Sequence, residues 1–232
     1  MIAFDEVHIW QIDLTLPQPA AWTASLDAAE QARAARFATP ALQLAFRRAH
    51  GALRAVLAHY THCSPADLAF TQSRWGKPAL TTGELEFNLS HSGALALLAV
   101  APAGCPVGID IESLEQHRLD VATLFDLTCH DSEKAALLAL SGNAQRHAFM
   151  ALWTRKEAYL KALGIGLQAE LREVTFSQHA QIGCWGVAGQ ATRDNAPWQV
   201  RMLETAAGYV GSICLPDAGM RITRIDMAGI LS

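Results

Sequence analysis

The feature that most constrains the fold is the apolar pattern at residues 144–163, which predicts one long helix. Its apolar positions recur at helical spacing and mark a face that we expect to be buried. They are Phe149, Leu152, Trp153, Leu160 and Leu163. A glycine follows directly at position 164, where it can take the positive φ angle that ends a helix.

The remaining patterns predict an α+β fold. A second helix is expected at residues 40–60, and mostly helical structure at residues 120–139. Strands are expected at residues 7–14, 85–89, 94–100 and 107–112, with antiparallel strands after residue 174. The sequence PAGCP at residues 102–106 breaks the chain near its middle. We therefore expect two halves, residues 1–104 and 105–232, with no repeat evident in the sequence.

The charge distribution argues against a nucleic-acid binder but favours a small anionic ligand. The net charge is −4, whereas general nucleic-acid binders are basic. Residues 31–66 nevertheless contain no Asp or Glu, and they include five arginines, at positions 33, 36, 47, 48 and 54. Such a local basic field suits a nucleotide phosphate.

Cysteine usage and apolar runs predict a cytoplasmic protein. The five cysteines are scattered and form no C-x-x-C pair, so a disulfide framework is not expected. The N-terminal sequence MIAFDEVHIW lacks the features of a signal peptide, and the most apolar run is too short to span a bilayer.

The sequence VGIDIE places two carboxylates side by side. In a strand, residues i and i+2 point to the same face, so Asp110 and Glu112 project together. Their repulsion is acceptable in water or around a divalent cation, and Mg²⁺ prefers such oxygen ligands. Taken alone, the pattern also fits a solvated strand face.

The long helix adds a further carboxylate and an amine. Glu157 and Lys161 are spaced i and i+4 and share a face at the edge of the apolar stripe. They fit a surface ion pair, or a carboxylate that joins Asp110 and Glu112 and a lysine that meets a phosphate.

Two other segments could receive phosphate. The sequence FNLSHSG places Ser90 and His91 at a predicted turn whose N–H groups and side chains can bind an anion. Lys77 lies in the sequence GKP. An ordinary hairpin turn is the alternative for the first segment.

Together, GKP, FNLSHS, GIDIE and WTRKEAYLKALGIGL resemble the motifs of the Sfp-type 4′-phosphopantetheinyl transferases, in the same order. The resemblance implies an Mg²⁺-dependent enzyme, a holo-[acyl-carrier-protein] synthase. Such an enzyme transfers the arm of coenzyme A to a serine of an apo acyl or peptidyl carrier protein, and adenosine 3′,5′-bisphosphate is released. The implied fold is a monomeric pseudo-dimer of two similar α+β halves with the active site between them.

The resemblance also implies roles for single residues. Asp110, Glu112 and Glu157 would hold Mg²⁺, with Mn²⁺ as an alternative. Glu157 would help to deprotonate the carrier serine, and Lys161 would bind the pyrophosphate.

Nucleotide contacts follow in the same way. Asp110 and Lys161 would also contact coenzyme A, together with Lys77, Ser90 and His91. Basic residues of the N-terminal half would bind its phosphates, and we favour Arg47 and Arg54 over the other candidates, which are Arg33, Arg48 and His50.

Two other functions remain open from the sequence, a coenzyme A sensor without turnover and a metal-dependent phosphohydrolase. The sequence does not identify the carrier, the use of acyl-coenzyme A or a role for Lys156.

Overall fold

The structure is a computed structural model that describes residues 2–115, 122–166, 170–178, 184–191, 197–216 and 219–227. In these ranges the helices are α1 (Ala20–Ala24), α2 (Ala28–Ala35), α3 (Pro40–Thr61), α4 (Ala122–Thr128), α5 (Asp131–Leu138) and α6 (Gly142–Leu163). The strands are β1 (Glu6–Asp13), β2 (Phe70–Gln72), β3 (Pro78–Leu80), β4 (Leu85–Ser92), β5 (Leu95–Pro102), β6 (Gly108–Ser113), β7 (Phe176–Gln178), β8 (Cys184–Ala191), β9 (Pro197–Leu203), β10 (Tyr209–Pro216) and β11 (Arg221–Ile225).

Most strands form two sheets. The first sheet has the order β11-β1-β5-β4, and the second sheet has the order β6-β10-β9-β8-β7. Pairing is antiparallel throughout both sheets except between β1 and β11. Strands β2 and β3 form a separate hairpin. The predicted α+β class is confirmed.

The two halves repeat one order of elements. Within the described residues, the first half has the order β1, three helices (α1–α3), the hairpin β2–β3 and the antiparallel pair β4–β5. The second half has the order β6, three helices (α4–α6), the pair β7–β8 and the antiparallel pair β9–β10. In the first sheet β1, β5 and β4 are neighbours, and β6, β10 and β9 are neighbours in the same way in the second sheet. Helices α3 and α6 both have 22 residues. Strand β11 departs from the repeat, because it returns from the second half to the first sheet.

The layers run from α3 through the first sheet and the second sheet to α6. Alternate residues of β5 show this directly: Leu98 and Val100 pack with α3, whereas Leu97 and Ala99 pack with Ile109 of β6. Strand β5 is therefore buried on both faces, which explains its continuous apolar sequence. Helix α6 covers the opposite face of the second sheet.

Three local features differ from the sequence predictions. The helical region expected at residues 120–139 is divided into α4 and α5, because His130 begins a new capping box with Glu133. Strand β4 continues to Ser92, so His91 lies in the strand and the turn follows at Gly93, whose φ is 58°. Helix α1 was not expected. Within the described residues, none of the helices combines the length and the apolar character needed to cross a bilayer.

Candidate active site

The candidate site lies where β4, β6 and α6 converge at the boundary between the halves. Gly108 allows β6 to approach α6 closely, because a Cβ atom added there would overlap the backbone of Ala158 and Ala162. The glycine of the GIDIE sequence is thus required for packing, and it brings the next residues of β6 against the last turns of α6. Strand β4 closes the site from the other sheet.

Asp110 is the buried centre of this site. Its side chain is 2% exposed. Its Oδ1 accepts hydrogen bonds from Ser90 Oγ at 2.8 Å and from Lys161 Nζ at 2.5 Å, whereas its buried Oδ2 has no partner. Burial raises the pKa of Asp110, and the Lys161 ammonium opposes that rise. The structure therefore joins three predicted residues from β4, β6 and α6 in one contact.

Glu157 lies one helical turn before Lys161 on α6. Its Oε1 is buried and has no hydrogen-bond partner. Burial raises its pKa, the Lys161 ammonium opposes that rise, and the charges of Asp110 and Glu112 add to it. The charges of Asp110 and Glu112 thus lie close enough to raise the pKa of Glu157. We call the carboxylates of Asp110, Glu112 and Glu157 the acidic cluster.

Glu112 completes the acidic cluster and is held from β4. The Ser92 hydroxyl donates to Glu112 Oε2 at 2.8 Å. The same hydroxyl accepts from the backbone N–H of Ser113 at 3.0 Å. The sequence FNLSHSG placed the Ser92 hydroxyl in a turn that could receive an anion. The structure pairs it with Glu112 instead, a contact that requires the approach of two sheets.

The acidic cluster fits a divalent cation that binds one or two carboxylates at a time. Among the residues that the structure describes, no group of three or more His, Cys, Asp or Glu side chains is placed to hold a metal ion. Asp110 and Glu157 each present a buried oxygen without a partner. Because Mg²⁺ usually takes one or two protein carboxylates together with waters and phosphates, these residues fit it without forming a closed cage.

His91 faces the other side of β4, toward α2 and α3. Burial lowers its pKa, and the charges of His50, Lys161 and Arg33 lower it further, whereas Glu112 raises it. The His50 ring stacks on Phe46 with centroids 4.0 Å apart, and the Arg33 guanidinium lies 5.4 Å from the same ring. We call Arg33, His50 and His91 the basic patch.

The basic patch changes the ranking of the N-terminal candidates. Arg54 is fully buried and donates to Glu30, Asp27 and two backbone carbonyls. This corrects its expected ligand role, because its guanidinium is committed to holding α2 against α3. Arg47 is exposed on α3, three residues before His50, so its expected role is compatible with its position. Arg33 and His50 were among the candidates in the acid-free stretch, but they were ranked below Arg47 and Arg54.

Lys77 connects the two halves through backbone contacts. Its Nζ donates to the carbonyls of Val107 and Ala162 at 3.0 and 3.2 Å. Burial lowers its pKa. The expected phosphate ligand therefore also fixes the β2–β3 hairpin region to the end of α6, near Gly164.

Two cavities meet at Lys77. The smaller cavity has a volume of about 190 Å³ and includes Trp75, Asn88 and Lys161 in its lining. The larger cavity, of about 930 Å³, adjoins Gly164 and Trp198 but has neither Lys161 nor the acidic cluster in its lining. We associate the smaller one with the site because it alone of these two contacts a residue of the Asp110 network. Trp75 had no role in the sequence analysis.

Lys156, which had no predicted role, is buried beside Glu157. Its side chain is 1% exposed, and its Nζ donates to Thr128 O, Glu133 Oε2 and Leu171 O at 2.8, 2.6 and 2.9 Å. Lys156 therefore joins the end of α4, the first turn of α5 and the segment after α6 to the helix that carries Glu157.

Comparisons with known proteins agree with the resemblance of the sequence motifs to 4′-phosphopantetheinyl transferases. The profile of the 4′-phosphopantetheinyl transferase superfamily matches residues 106–214. The 4′-phosphopantetheinyl transferase HetI of Nostoc sp. is 38% identical over 176 residues, covering 73% of each chain. The 4′-phosphopantetheinyl transferase Sfp of Bacillus subtilis is 29% identical over 182 residues, covering 77% of this chain and 78% of the relative.

Among solved structures, a holo-[acyl-carrier-protein] synthase of Thermotoga maritima aligns with 50% of this chain and 64% of its own. The identity is 19% and the TM-score is 0.34.

Proposed function

The chain belongs to the 4′-phosphopantetheinyl transferase superfamily, and we propose that it transfers the phosphopantetheine arm of coenzyme A to a serine of an apo carrier protein. The serine oxygen attacks the phosphorus that carries the arm, and a new P–O bond forms. The bond from that phosphorus to adenosine 3′,5′-bisphosphate breaks, and the bisphosphate leaves with the bond electrons. The serine proton passes to a base.

The observation that best supports this proposal is the joining of Asp110, Ser90 and Lys161 at the boundary of the two halves. A carboxylate, a hydroxyl and an ammonium in one buried network can orient a charged diphosphate. Transfer of phosphoryl-type groups depends mainly on positioning and charge stabilisation, so such a network is the machinery the reaction needs.

Glu157 is the residue that we assign as the base. Its buried Oε1 has no hydrogen-bond partner and can accept a proton. Its raised pKa makes the carboxylate a better proton acceptor than an ordinary glutamate, since general bases work best with a pKa near the working pH.

Lys161 is assigned to the leaving group, adenosine 3′,5′-bisphosphate. Its Nζ donates to Ser90 and Asp110, and its side chain remains 27% exposed, so the ammonium also faces ligand space. We propose that it binds a pyrophosphate oxygen as charge develops there. Mg²⁺, or Mn²⁺ in its place, when bound by members of the acidic cluster, would neutralise part of the pyrophosphate charge.

The nucleotide part of coenzyme A is assigned to both faces of β4. Arg33 of the basic patch and Arg47, both exposed, offer positive charge to its phosphates. The His91 ring, whose lowered pKa favours the neutral form, can donate a hydrogen bond there, and Ser90 lies on the opposite face of the same edge strand. The smaller cavity beside Trp75 and Lys77 is about 190 Å³, below the roughly 300–1,000 Å³ of whole small-molecule sites. The smaller cavity therefore suits one part of coenzyme A, such as its adenine ring.

The division at residue 104 gives each half a task in this proposal. Residues 1–104 supply the contacts to the nucleotide and its phosphates, and residues 105–232 supply the acidic cluster and Lys161. Because one chain builds both sides of the site, we propose that the enzyme acts as a monomer. All five cysteines are free thiols in the structure, and we propose a cytoplasmic location on that basis.

Product analysis tests the proposal. The protein is incubated with coenzyme A and Mg²⁺, with and without an apo carrier, and the small molecules are separated. We expect adenosine 3′,5′-bisphosphate in amounts equal to the carrier that is modified. Bisphosphate together with free phosphopantetheine in the absence of a carrier would indicate a phosphohydrolase instead. Binding of coenzyme A without any product would indicate a sensor.

A further inference from the structure

Strands β4 and β6 belong to different sheets but are linked by alternating polar contacts. Asn88 Oδ1 accepts from the backbone N–H of Ile109 at 2.8 Å. Two residues later Ser90 bonds Asp110, and two residues after that Ser92 bonds Glu112. Because strand residues i and i+2 share a face, the regular spacing of β4 matches the spacing of the two carboxylates on β6.

The direction of the Ser92 hydrogen bond is fixed by its surroundings. The backbone N–H of Ser113 can only donate, so Ser92 Oγ accepts from it at 3.0 Å. The hydroxyl proton of Ser92 is thereby left for Glu112 Oε2 at 2.8 Å. Ser92 is 8% exposed, so water competes little for either bond.

Ser90 shows the same arrangement one position earlier. Its Oγ accepts from Lys161 Nζ at 3.0 Å and donates to Asp110 Oδ1 at 2.8 Å. Each serine hydroxyl thus accepts a hydrogen bond from an N–H group and donates one to a carboxylate. The two carboxylates are held from β4 by equivalent means, although sequence motifs had suggested a site role for Ser90 alone of the two.

We propose that Ser92 is a positioning residue that holds the Glu112 carboxylate in the orientation that binds the divalent cation. This rests on the proposed function, in which Glu112 is a metal ligand. Hydrogen bonds to ligating carboxylates orient them, and loss of such a bond weakens metal binding or activity by about 10–100-fold. Ser92 does not touch the reacting atoms in this account. It acts through Glu112.

The test compares Ser92→Ala with Ser25→Ala. Both serines are 8% exposed, and Ser25 donates its hydroxyl to the Trp22 carbonyl in the first half, outside the acidic cluster. Binding of Mn²⁺ to the metal-free proteins is measured by calorimetry, without coenzyme A or a carrier. We expect Ser92→Ala to weaken Mn²⁺ binding by about 10–100-fold, and Ser25→Ala to bind as the parent does. Thermal unfolding should shift by similar amounts in both variants.

A double-mutant cycle with Glu112→Ala separates positioning from general damage. If Ser92 acts through Glu112, adding Ser92→Ala to Glu112→Ala leaves Mn²⁺ affinity unchanged. A further loss in that background would overturn the proposal, as would parent-like affinity of the single Ser92→Ala variant. If the parent protein binds no Mn²⁺, the proposed metal site falls together with this inference. If the parent binds and Ser92→Ala binds equally well, the inference alone fails.

Discussion

The long helices α3 and α6 each hold a buried cation in equivalent contacts, but they differ in the side chains that they place near the candidate site. Each carries one fully buried cation at the same distance from its first residue, Arg54 in Pro40–Thr61 and Lys156 in Gly142–Leu163. Arg54 was expected to bind a phosphate, and Lys156 had no predicted role. Their equivalence becomes visible in the repeated order of elements.

The partners of the two cations are equivalent as well. Arg54 pairs with Glu30 and Lys156 pairs with Glu133, and both acids stand at the third position of a capped preceding helix. Each cation also donates to a carbonyl in a 3-10 turn after its own helix, Pro65–Asp67 after α3 or Leu171–Glu173 after α6. The acceptors there are Pro65 and Leu171, each the first residue of its turn.

The difference begins at the next residue of each helix. After Arg54 comes Ala55, whereas after Lys156 comes Glu157. One turn further on, α6 has Lys161 at the site, and α3 has an exposed histidine at position 59. The comparison indicates that the supporting contacts are built twice, while the residues to which we assign catalytic roles, Glu157 and Lys161, lie on one of the two helices.

The largest expected effect comes from removing the base on α6. Glu157→Gln keeps the size of the side chain but cannot accept the serine proton. We expect kcat/KM for carrier modification to fall by about 10²–10⁴-fold. The matched change on α3, His59→Ala, should leave the rate close to that of the parent. Full activity of Glu157→Gln would show that the base has been misassigned.

The next effect tests the supporting contacts. Lys156→Met and Arg54→Met each remove a buried cation and leave its partly buried acid unpaired, Glu133 or Glu30. We expect each to lower the free energy of unfolding by about 3–5 kcal/mol, measured by urea denaturation. Arg221→Met is the control, because that side chain is 63% exposed and such pairs contribute roughly 0–1 kcal/mol. If either substitution left the free energy of unfolding unchanged, the two buried cations would not have equivalent structural roles.

A smaller effect tests the contact that brings α6 to β6. Gly108→Ala places a Cβ atom against the backbone of Ala158 and Ala162. Overpacking of this kind typically costs about 1–3 kcal/mol, and we expect transfer activity to fall with it. Gly186→Ala on β8 is the control, since its nearest contact would be the Ser177 hydroxyl at 3.3 Å. Equal stability of both variants would argue against the close approach.

A substitution in the basic patch of the first half should weaken the binding of coenzyme A. Arg33→Ala removes one positive charge of the basic patch, and we expect the KM for coenzyme A to rise about tenfold, equivalent to 1.4 kcal/mol. The turnover number should change little, because the acidic cluster is intact. Arg36→Ala is the control, an exposed arginine at the end of α2. A fall in the turnover number at constant KM would place Arg33 in a different role.

The smallest effect is on the pH dependence of stability. Burial raises the pKa of Glu157 above its ordinary value of 4.5, so the folded protein holds this proton more tightly than the unfolded chain. The contribution of Glu157 to the free energy of unfolding of the metal-free protein therefore decreases as pH rises from about 4.5 through the raised pKa. Glu157→Gln should lack this contribution, which appears as the difference between the pH profiles of the two proteins in denaturation curves recorded with a chelator. An identical pH profile would mean that Glu157 is not buried.

The sequence predicted the elements whose patterns are local. The long helix, its end at Gly164 and the strand with Asp110 and Glu112 were all expected, and the structure shows them. Three predicted site residues, Asp110, Ser90 and Lys161, were brought together as the motifs suggested. The helix and strand predictions were possible because periodicity and glycine chemistry act within a few residues of the chain.

The remainder depended on contacts between distant segments. The sequence does not show that Arg54, a favoured ligand, is paired with Glu30, because that acid lies on another helix. Nor does it show that the Ser92 hydroxyl binds Glu112, because that acceptor lies on a strand of the other sheet. Burial of charge and the meeting of two sheet edges arise from tertiary packing, which local patterns do not encode.

The most direct test of the account is the intact mass of an apo carrier protein after incubation with the parent protein, coenzyme A and Mg²⁺. Carriers from peptide-synthetase, polyketide and fatty-acid systems are compared, each with a version whose acceptor serine is replaced by alanine. The account predicts that at least one carrier gains the mass of the phosphopantetheine arm and that its alanine version does not. No mass gain on any carrier, or an equal gain on the alanine version, would contradict it.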